Sequence, residues 1–341
     1  MISIEEHRNG EIMKEHSNGT FLDNFACQKT LFPSFIASAS MHEEKIKKML
    51  SETSSLFLGD AKKYLDMMPD ESVQSIITSP PYWALRDYNI DGQIGLEESV
   101  YKYIDTLADL FDQAKRVLRN DGTFWLNIGD SYTSGGRKWR APDSKNKARA
   151  MSVRPDTPEG LKPKELIGVP WRLAFALQSR GWYLRSDIIW EKPNCQPESV
   201  KDRPTKCHEY LFLFSKNEKY KYYVDAQKGP NGRRVRDVWS INTKANKETS
   251  GHFAVYPIEL IEPCILFGTN ENDLILDPFM GSGSTAVAAN RLNRRFVGIE
   301  LNDEAFSAPF ALSKTGLSYA VQERFSLAAF CRSFSSAAAS I

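Results

Sequence analysis

The chain has 341 residues, of which 41% are apolar, 26% charged and 11% aromatic. This is the mixture of a globular protein able to bury a sizeable core, and it excludes a disordered or fibrous chain. Lysine and arginine (44) nearly balance aspartate and glutamate (43), which excludes a uniformly basic nucleic-acid binder but not one that uses local basic patches.

Residues 1–54 read as an N-terminal extension. Its polar, acidic start, MISIEEHRNG, is neither a secretory signal nor a typical transit peptide. From Ser55 short apolar runs alternate with turn residues. SLFLGD reads as a strand ending at Gly59-Asp60, AKKYLDMMP as a helix stopped by Pro69, and VQSIITSPPYW as a strand running into a proline-stiffened loop. VYKYIDTLADLFDQAKRVLR has apolar residues at helical spacing, and GTFWLNIGD follows as a buried strand. ELIGVPWRLAFALQSRG reads as a helix closed by Gly181, then YLRSDIIWEKPN and HEYLFLFSK as strands. YPIELIEPCILFG (helix), DLILDPF (strand), GSTAVAANRLN (helix) and RFVGIEL (strand) complete the pattern. Strands and helices alternating in this way predict an α/β fold with a mainly parallel sheet covered on both faces. Two polar stretches rich in Lys and Arg, at about 132–164 and 216–250, interrupt it, and residues 307–341 read as a divergent C-terminal tail, whose final stretch FSLAAFCRSFSSAAASI is Ser/Ala-biased and expected to be weakly ordered.

No apolar run approaches the roughly 18 residues of a membrane span. The cysteines (Cys27, Cys195, Cys207, Cys264 and Cys331) contain no C-x-x-C pair. That spacing predicts neither a disulfide framework nor a zinc site, and fits a soluble, cytoplasmic protein without a metal.

Two constellations carry chemistry. Asp277-Pro278-Phe279-Met280-Gly281-Ser282-Gly283-Ser284-Thr285 lies between a strand and a helix, and Glu300 ends the next strand fifteen residues after Thr285. Glycines at such a turn let the backbone approach a ligand, the helix N-terminus offers free N–H groups, and a carboxylate there can accept both ribose hydroxyls of a nucleoside cofactor. No Lys follows Gly283, so the loop is not a P-loop. Thr78-Ser79-Pro80-Pro81-Tyr82-Trp83 forms the second constellation. Consecutive prolines fix the backbone and remove N–H groups, so their carbonyls can face a ligand. Ser79, the Pro80 carbonyl and the Tyr82 ring suit a planar heterocycle with an exocyclic amine.

Together with G-T-F-W-L-N-I-G-D, W-E-K-P-N, H-E-Y-L-F-L-F-S-K, D-V-W-S-I and F-V-G-I-E-L-N, these segments resemble the amino-group DNA methyltransferases, from about Phe57 to Glu304 and in order. S-P-P-Y precedes the glycine loop, which is the circularly permuted β-class arrangement. The resemblance implies a Rossmann-like fold, S-adenosylmethionine as methyl donor and double-stranded DNA as substrate. It also implies a restriction-modification setting, in which a cognate endonuclease acts on the same site. By position it assigns catalysis to Ser79, Pro80, Pro81 and Tyr82. The methionine portion of the cofactor falls to Asp277, Phe279, Gly281, Gly283 and Thr285, the ribose to Glu300 and the adenine to Asp60. The segment with His252, Tyr256 and Pro257 would close over the cofactor.

The expected chemistry is direct attack by an exocyclic amine on a sulfonium methyl. Hydrogen bonds from its N–H groups to Ser79 and the Pro80 carbonyl localise the nitrogen lone pair, and proximity and orientation drive the step. No cysteine nucleophile is needed, and Cys195 in P-N-C-Q-P reads as non-catalytic. Base extrusion precedes the reaction, with Arg137, Lys138 and Arg140 in one insertion and Arg233, Arg234 and Arg236 in the other as expected DNA contacts. The segment in which this class places target recognition is short here, and the chain departs from the family pattern after Phe306, with Pro309 inside the expected helix. Serine at the first position of S-P-P-Y favours cytosine N4. Adenine N6 is the alternative, and a non-catalytic DNA-binding scaffold is the rival of a different class.

Overall fold

The computed structural model describes residues 50, 54–88, 90–134, 155–243 and 256–303, together with the backbone of 320–322. Nine strands form one sheet among these residues: β1 (Ser55–Leu58), β2 (Val73–Thr78), β3 (Leu118–Ile128), β4 (Tyr183–Glu191), β5 (His208–Ser215), β6 (Val238–Ser240), β7 (Leu274–Asp277), β8 (Arg295–Glu300) and β9 (Ala320–Gln322). Their order is β6-β4-β5-β3-β2-β7-β8-β1-β9. Only β5 runs against its neighbours β3 and β4, and every other pairing is parallel. The mainly parallel sheet expected from the alternation is therefore present, with one reversed strand.

Among the described residues five α-helices cover it: α1 (Ala61–Met67), α2 (Val100–Val117), α3 (Val169–Ser179), α4 (Ile258–Gly268) and α5 (Ser284–Arg291). Successive strand residues point to opposite faces, and the core divides accordingly. Ile76, Phe124, Leu126, Leu276 and Val297 pack with α1–α3, whereas Ile77, Trp125, Ile275 and Phe296 pack with α4 and α5. Phe124 meets Phe111 of α2 at 4.8 Å and Trp182 at 5.1 Å between ring centroids. Truncating such a fully buried aromatic to alanine costs about 3–5 kcal/mol.

Local chemistry fixes the helix ends. The Ser99 side chain accepts from the Lys102 amide (3.2 Å) at the start of α2, and Lys115 and Arg116 complement the dipole of its last turn. The helix expected to run from Glu165 begins instead at Val169. Gly168 takes a left-handed conformation (φ 76°) and Pro170 occupies the first turn, an arrangement that starts a helix rather than continuing one.

Three further features differ from the sequence reading. The stretch 216–250 contains the edge strand β6, in register with β4 through Trp190 and Trp239. The stretch 307–341 supplies β9, which pairs with the otherwise open edge of β1. Cys195 and Cys207 are joined in a disulfide, against the expectation of none. Glu191 pairs with His208 across β4 and β5, so the two ends of the connecting loop lie side by side. The Cα atoms of the two cysteines are 5.2 Å apart, a juxtaposition invisible to a search for C-x-x-C spacing. Cys264 is a free, buried thiol.

Candidate active site

The sheet order sets β2, β7, β8 and β1 side by side. Their carboxyl ends bring together Ser79–Tyr82 after β2, the glycine turn after β7, Glu300 at the end of β8 and Asp60 just beyond β1. This edge of an open parallel sheet is where α/β folds bind ligands. Two segments 199 residues apart in sequence thus share one crevice, and a side-chain hydrogen bond links them: Thr78 Oγ1 donates to Asp277 Oδ1 at 2.6 Å.

Asp277 is fully buried. Its Oδ1 also accepts from the Phe279 amide (3.0 Å), and its Oδ2 accepts from the hydroxyls of Tyr256 (2.8 Å) and Thr285 (2.6 Å). Burial raises its pKa above the ordinary carboxylate range, against the opposing pull of Thr285, Thr78, Tyr256 and the Phe279 amide. Burial and the facing Asp277 push the Tyr256 phenol well up. Asp277 therefore organises the turn from beneath, holding Phe279, Thr285 and Tyr256 in place.

Above it, Gly281 (φ +53°) and Gly283 (φ +90°) occupy the left-handed region that favours glycine. A Cβ added at Gly281 would meet nothing within 4 Å, so its backbone faces open space. No side chain caps the N-terminus of α5 at Gly283. Glu300 is half-buried and accepts from the amides of Gly281 (2.8 Å) and Asn302 (2.8 Å); burial raises its pKa and those amides oppose the rise. Asp60 caps α1 through the Lys63 amide (2.9 Å), and the Gly59 amide donates to the Glu300 carbonyl (2.8 Å). An open glycine backbone, an uncapped helix start and two neighbouring acids suit a cationic, hydroxyl-bearing nucleoside ligand.

On the β2 side Ser79 is half-buried and Pro80 buried. Tyr103 donates its hydroxyl to the Pro81 carbonyl at 2.8 Å, which fixes the loop from α2. The Pro80 carbonyl meets no donor among the described residues. Tyr82 donates to Glu209 Oε2 at 2.8 Å. Burial and Glu209 push its phenol well up, while the neighbouring Ser79 acts the other way. Beside the loop lies a cavity of about 230 Å³, lined by Tyr82, Trp83, Tyr103, Asp130, Tyr132 and Ile167 among others. Arg203 stacks on Tyr132, its guanidinium carbon 3.7 Å from the ring centroid.

A family model described as DNA methylase, covering amino methylases of the N6 and N4 type, matches residues 73–310. The chain belongs to this family of DNA methylases. It is 56% identical to the Type II methyltransferase M.Cfr9I of Citrobacter freundii, over 80% of this chain and 92% of the relative. It is 51% identical to the Type II methyltransferase M.SmaI of Serratia marcescens, over 86% and 96%. Solved structures share the fold. PvuII DNA methyltransferase (cytosine-N4-specific) superimposes with a TM-score of 0.60 at 21% identity, covering 76% of this chain and 86% of that one. The putative DNA modification methylase TTHA0409 of Thermus thermophilus, complexed with S-adenosyl-L-methionine, gives 0.58 at 23% identity, over 80% and 100%. The Rossmann-like methyltransferase architecture expected from the motifs is therefore the fold of this chain, with its S-P-P-Y loop preceding its glycine turn.

Of the residues singled out in the sequence, Asp60, Ser79–Tyr82, Asp277, Phe279, Gly281, Gly283, Thr285 and Glu300 converge on this one edge. Arg233, Arg234 and Arg236 do not join them. They are exposed in the segment leading into β6, four strand spacings from β2, or about 19 Å. His252, Arg137, Lys138 and Arg140 lie outside the described residues. Sequence reading assigned no role to Thr78, Asn127, Lys192 or Glu209, although all four lie in motifs that carried the resemblance. Among the described residues no group of three or more His, Cys, Asp or Glu could hold a metal, and no helix is long and apolar enough to cross a membrane.

Proposed function

We propose that this DNA methylase transfers a methyl group from S-adenosylmethionine to the exocyclic N4 of a cytosine extruded from double-stranded DNA, as the modification enzyme of a restriction-modification system. The observation that carries the reading is the Thr78–Asp277 hydrogen bond, which ties the residue before Ser79 to the floor of the glycine turn. The cytosine assignment rests on serine at the first position of S-P-P-Y.

The chain's own residues supply positioning. Gly281, Gly283 and the N-terminus of α5 would hold the methionine end of the donor and Glu300 its ribose, with Asp60 beside the adenine and Asp277 setting the turn from below. Bound there, the donor supplies an electrophilic methyl on a sulfonium. Ser79 and the Pro80 carbonyl accept the two amine hydrogens of the base, which pyramidalises the nitrogen and frees its lone pair. The Tyr82 ring offers a stacking face beside the cavity. Removing such a preorganised hydrogen-bond partner typically lowers kcat about 10²–10³-fold.

Arg233, Arg234 and Arg236 are proposed to grip phosphates on the flank of the duplex. Replacing all three by alanine is expected to weaken DNA binding evenly across sequences. It should also lower the slope of log affinity against log salt by up to about 3, at roughly 0.9 per lost contact. An unchanged slope would remove them from the DNA surface.

The deciding experiment is mass spectrometry of nucleosides from DNA treated with the protein and an isotopically labelled methyl donor. Labelled N4-methylcytosine is the expected product. N6-methyladenine would overturn the base assignment and leave the mechanism standing. No labelled base on several DNAs, with donor binding verified by calorimetry, would favour the non-catalytic scaffold.

A further inference from the structure

Glu209 lies near the start of β5, paired with Trp190 of β4, and its carboxylate gathers donors from three other parts of the fold. Tyr82 Oη (2.8 Å) and Asn127 Nδ2 of β3 (3.3 Å) both donate to Oε2, and the Lys192 ammonium, just past β4, donates to Oε1. The Lys192 and Glu209 side chains are each 17% exposed, and the ammonium sits 4.1 Å from the centroid of the Trp190 ring. The pair is largely withdrawn from water, so breaking either half would leave an uncompensated charge. Gly129 makes the cluster possible. A Cβ there would fall 2.7 Å from Tyr82 Cε2 and 3.3 Å from Glu209 Cδ, so only a glycine lets ring and carboxylate meet against that backbone.

We propose that Glu209, anchored by Lys192, is a positioning residue that sets the placement and the hydrogen-bond direction of Tyr82. The proposal rests on the catalytic reading of the Ser79–Tyr82 loop. A carboxylate paired with an ammonium only accepts, so the phenol hydrogen of Tyr82 is committed to Glu209. The phenol oxygen then shows only lone pairs to any other group that approaches it. At that oxygen the loop therefore offers an exocyclic amine an acceptor and no donor, which is what an amine about to lose lone-pair delocalisation requires. A purely structural clamp would need neither the phenol hydroxyl nor a desolvated charge pair, because apolar side chains of similar volume fill such a space at equal or better stability.

The test compares Glu209→Gln, Tyr82→Phe, the double variant and Ser79→Ala in the full chain, on DNA that the wild type methylates. Steady-state rates are measured alongside the donor Kd by calorimetry and thermal denaturation. Glutamine at 209 keeps the volume but turns an N–H₂ group toward one of the donors. Both single variants are expected to lose about 10- to 100-fold in kcat with the donor Kd within about twofold of wild type. The double variant should fall no lower than the worse single, because both remove the same link. Losses that multiply, a wild-type kcat in Glu209→Gln, or a loss confined to donor Kd would each overturn the proposal. If Glu209→Gln does not fold, Tyr82→Phe decides alone, since it leaves the Lys192–Glu209 pair intact; wild-type kcat there overturns the proposal and a 10- to 100-fold loss with unchanged Kd supports it. Full activity in Ser79→Ala would instead sink the catalytic reading of the loop, a failure separable from that of Glu209.

Discussion

The glycine turn after β7 and the tyrosine post after β2 both present polar groups to the same crevice, yet they are held in different ways. The turn is built on a carboxylate with no exposure, whose charge is spread over four hydrogen bonds and paired with no cation among the described residues. The post is built on a carboxylate with an ammonium partner, at the rim of the sheet rather than beneath it. Two of the four Asp277 donors, Phe279 and Thr285, come from within eight residues of it. The donors to Glu209 come from 127, 82 and 17 residues away. A loop that must take one shape around a ligand is thus largely fixed by its own sequence, whereas a ring that must hold one direction is fixed by the assembled sheet.

The sharpest way to break that comparison is Asp277→Ala. It leaves the Phe279 amide and the Thr78 hydroxyl buried without an acceptor, while Tyr256 and Thr285, already 2.5 Å apart, can still bond each other. At about 1–3 kcal/mol per orphaned group, the fold should lose about 2–6 kcal/mol. Donor affinity should drop on the order of 100-fold, close to about 2.8 kcal/mol. Chemical denaturation and calorimetry measure the two quantities, and a folded variant with unchanged donor Kd would show that the turn does not depend on its buried acid. Ser79→Ala is the counterpart on the other side. It should lower kcat about 10²–10³-fold while donor Kd and melting temperature stay at wild-type values, because Ser79 is half-buried and lies outside the apolar core.

The same contrast explains what could be read in advance. Strand and helix alternation follows from apolar periodicity, so β1, β2, β7, β8 and their helices were legible, as were Ser79–Tyr82 and the residues of the glycine turn, which sit within short segments. Thr78 carries no signal of its own. It is an ordinary strand-end threonine until β7 is placed beside β2. Lys192 and Glu209 read as parts of W-E-K-P-N and H-E-Y-L-F-L-F-S-K, and nothing in either segment says that Tyr82 will meet them. The Cys195–Cys207 bridge was missed for the same reason, since the antiparallel register of β4 and β5 creates the proximity. Strand β9 escaped notice because three residues with one parallel partner leave almost no periodic pattern.

Thr78→Val sharpens the comparison at the hydrogen bond that ties the end of β2 to the turn. Valine keeps the volume and the β-branched fit to the strand but removes the donor to Asp277 Oδ1, which the Phe279 amide still serves. The expected loss in stability is about 1 kcal/mol. A loss of about tenfold in kcat with little change in donor Kd is expected if the bond sets the approach of the Ser79 loop to the turn. Thr78→Ser, which keeps the hydroxyl, should restore most of the rate. Equal rates in Val and Ser variants would show that the two segments are aligned by the sheet alone.

The smallest effect concerns protons. Burial holds the Asp277 carboxyl above its ordinary value, and Glu300 is shifted in the same direction. In the window between the ordinary value, about 3.9 for aspartate, and the raised folded value, the folded chain binds more protons than the unfolded one. Stability contributed by such a group is therefore present at low pH and falls as pH rises through that window, with a slope of at most about 1.4 kcal/mol per pH unit for each group. Other carboxylates titrate nearby and obscure the absolute curve, so the useful quantity is the stability of the wild type minus that of Asp277→Asn at each pH. Asparagine does not titrate there, and the difference should shrink as pH rises across the window. A difference that stays flat would mean that the four hydrogen bonds to Asp277 fully offset its desolvation.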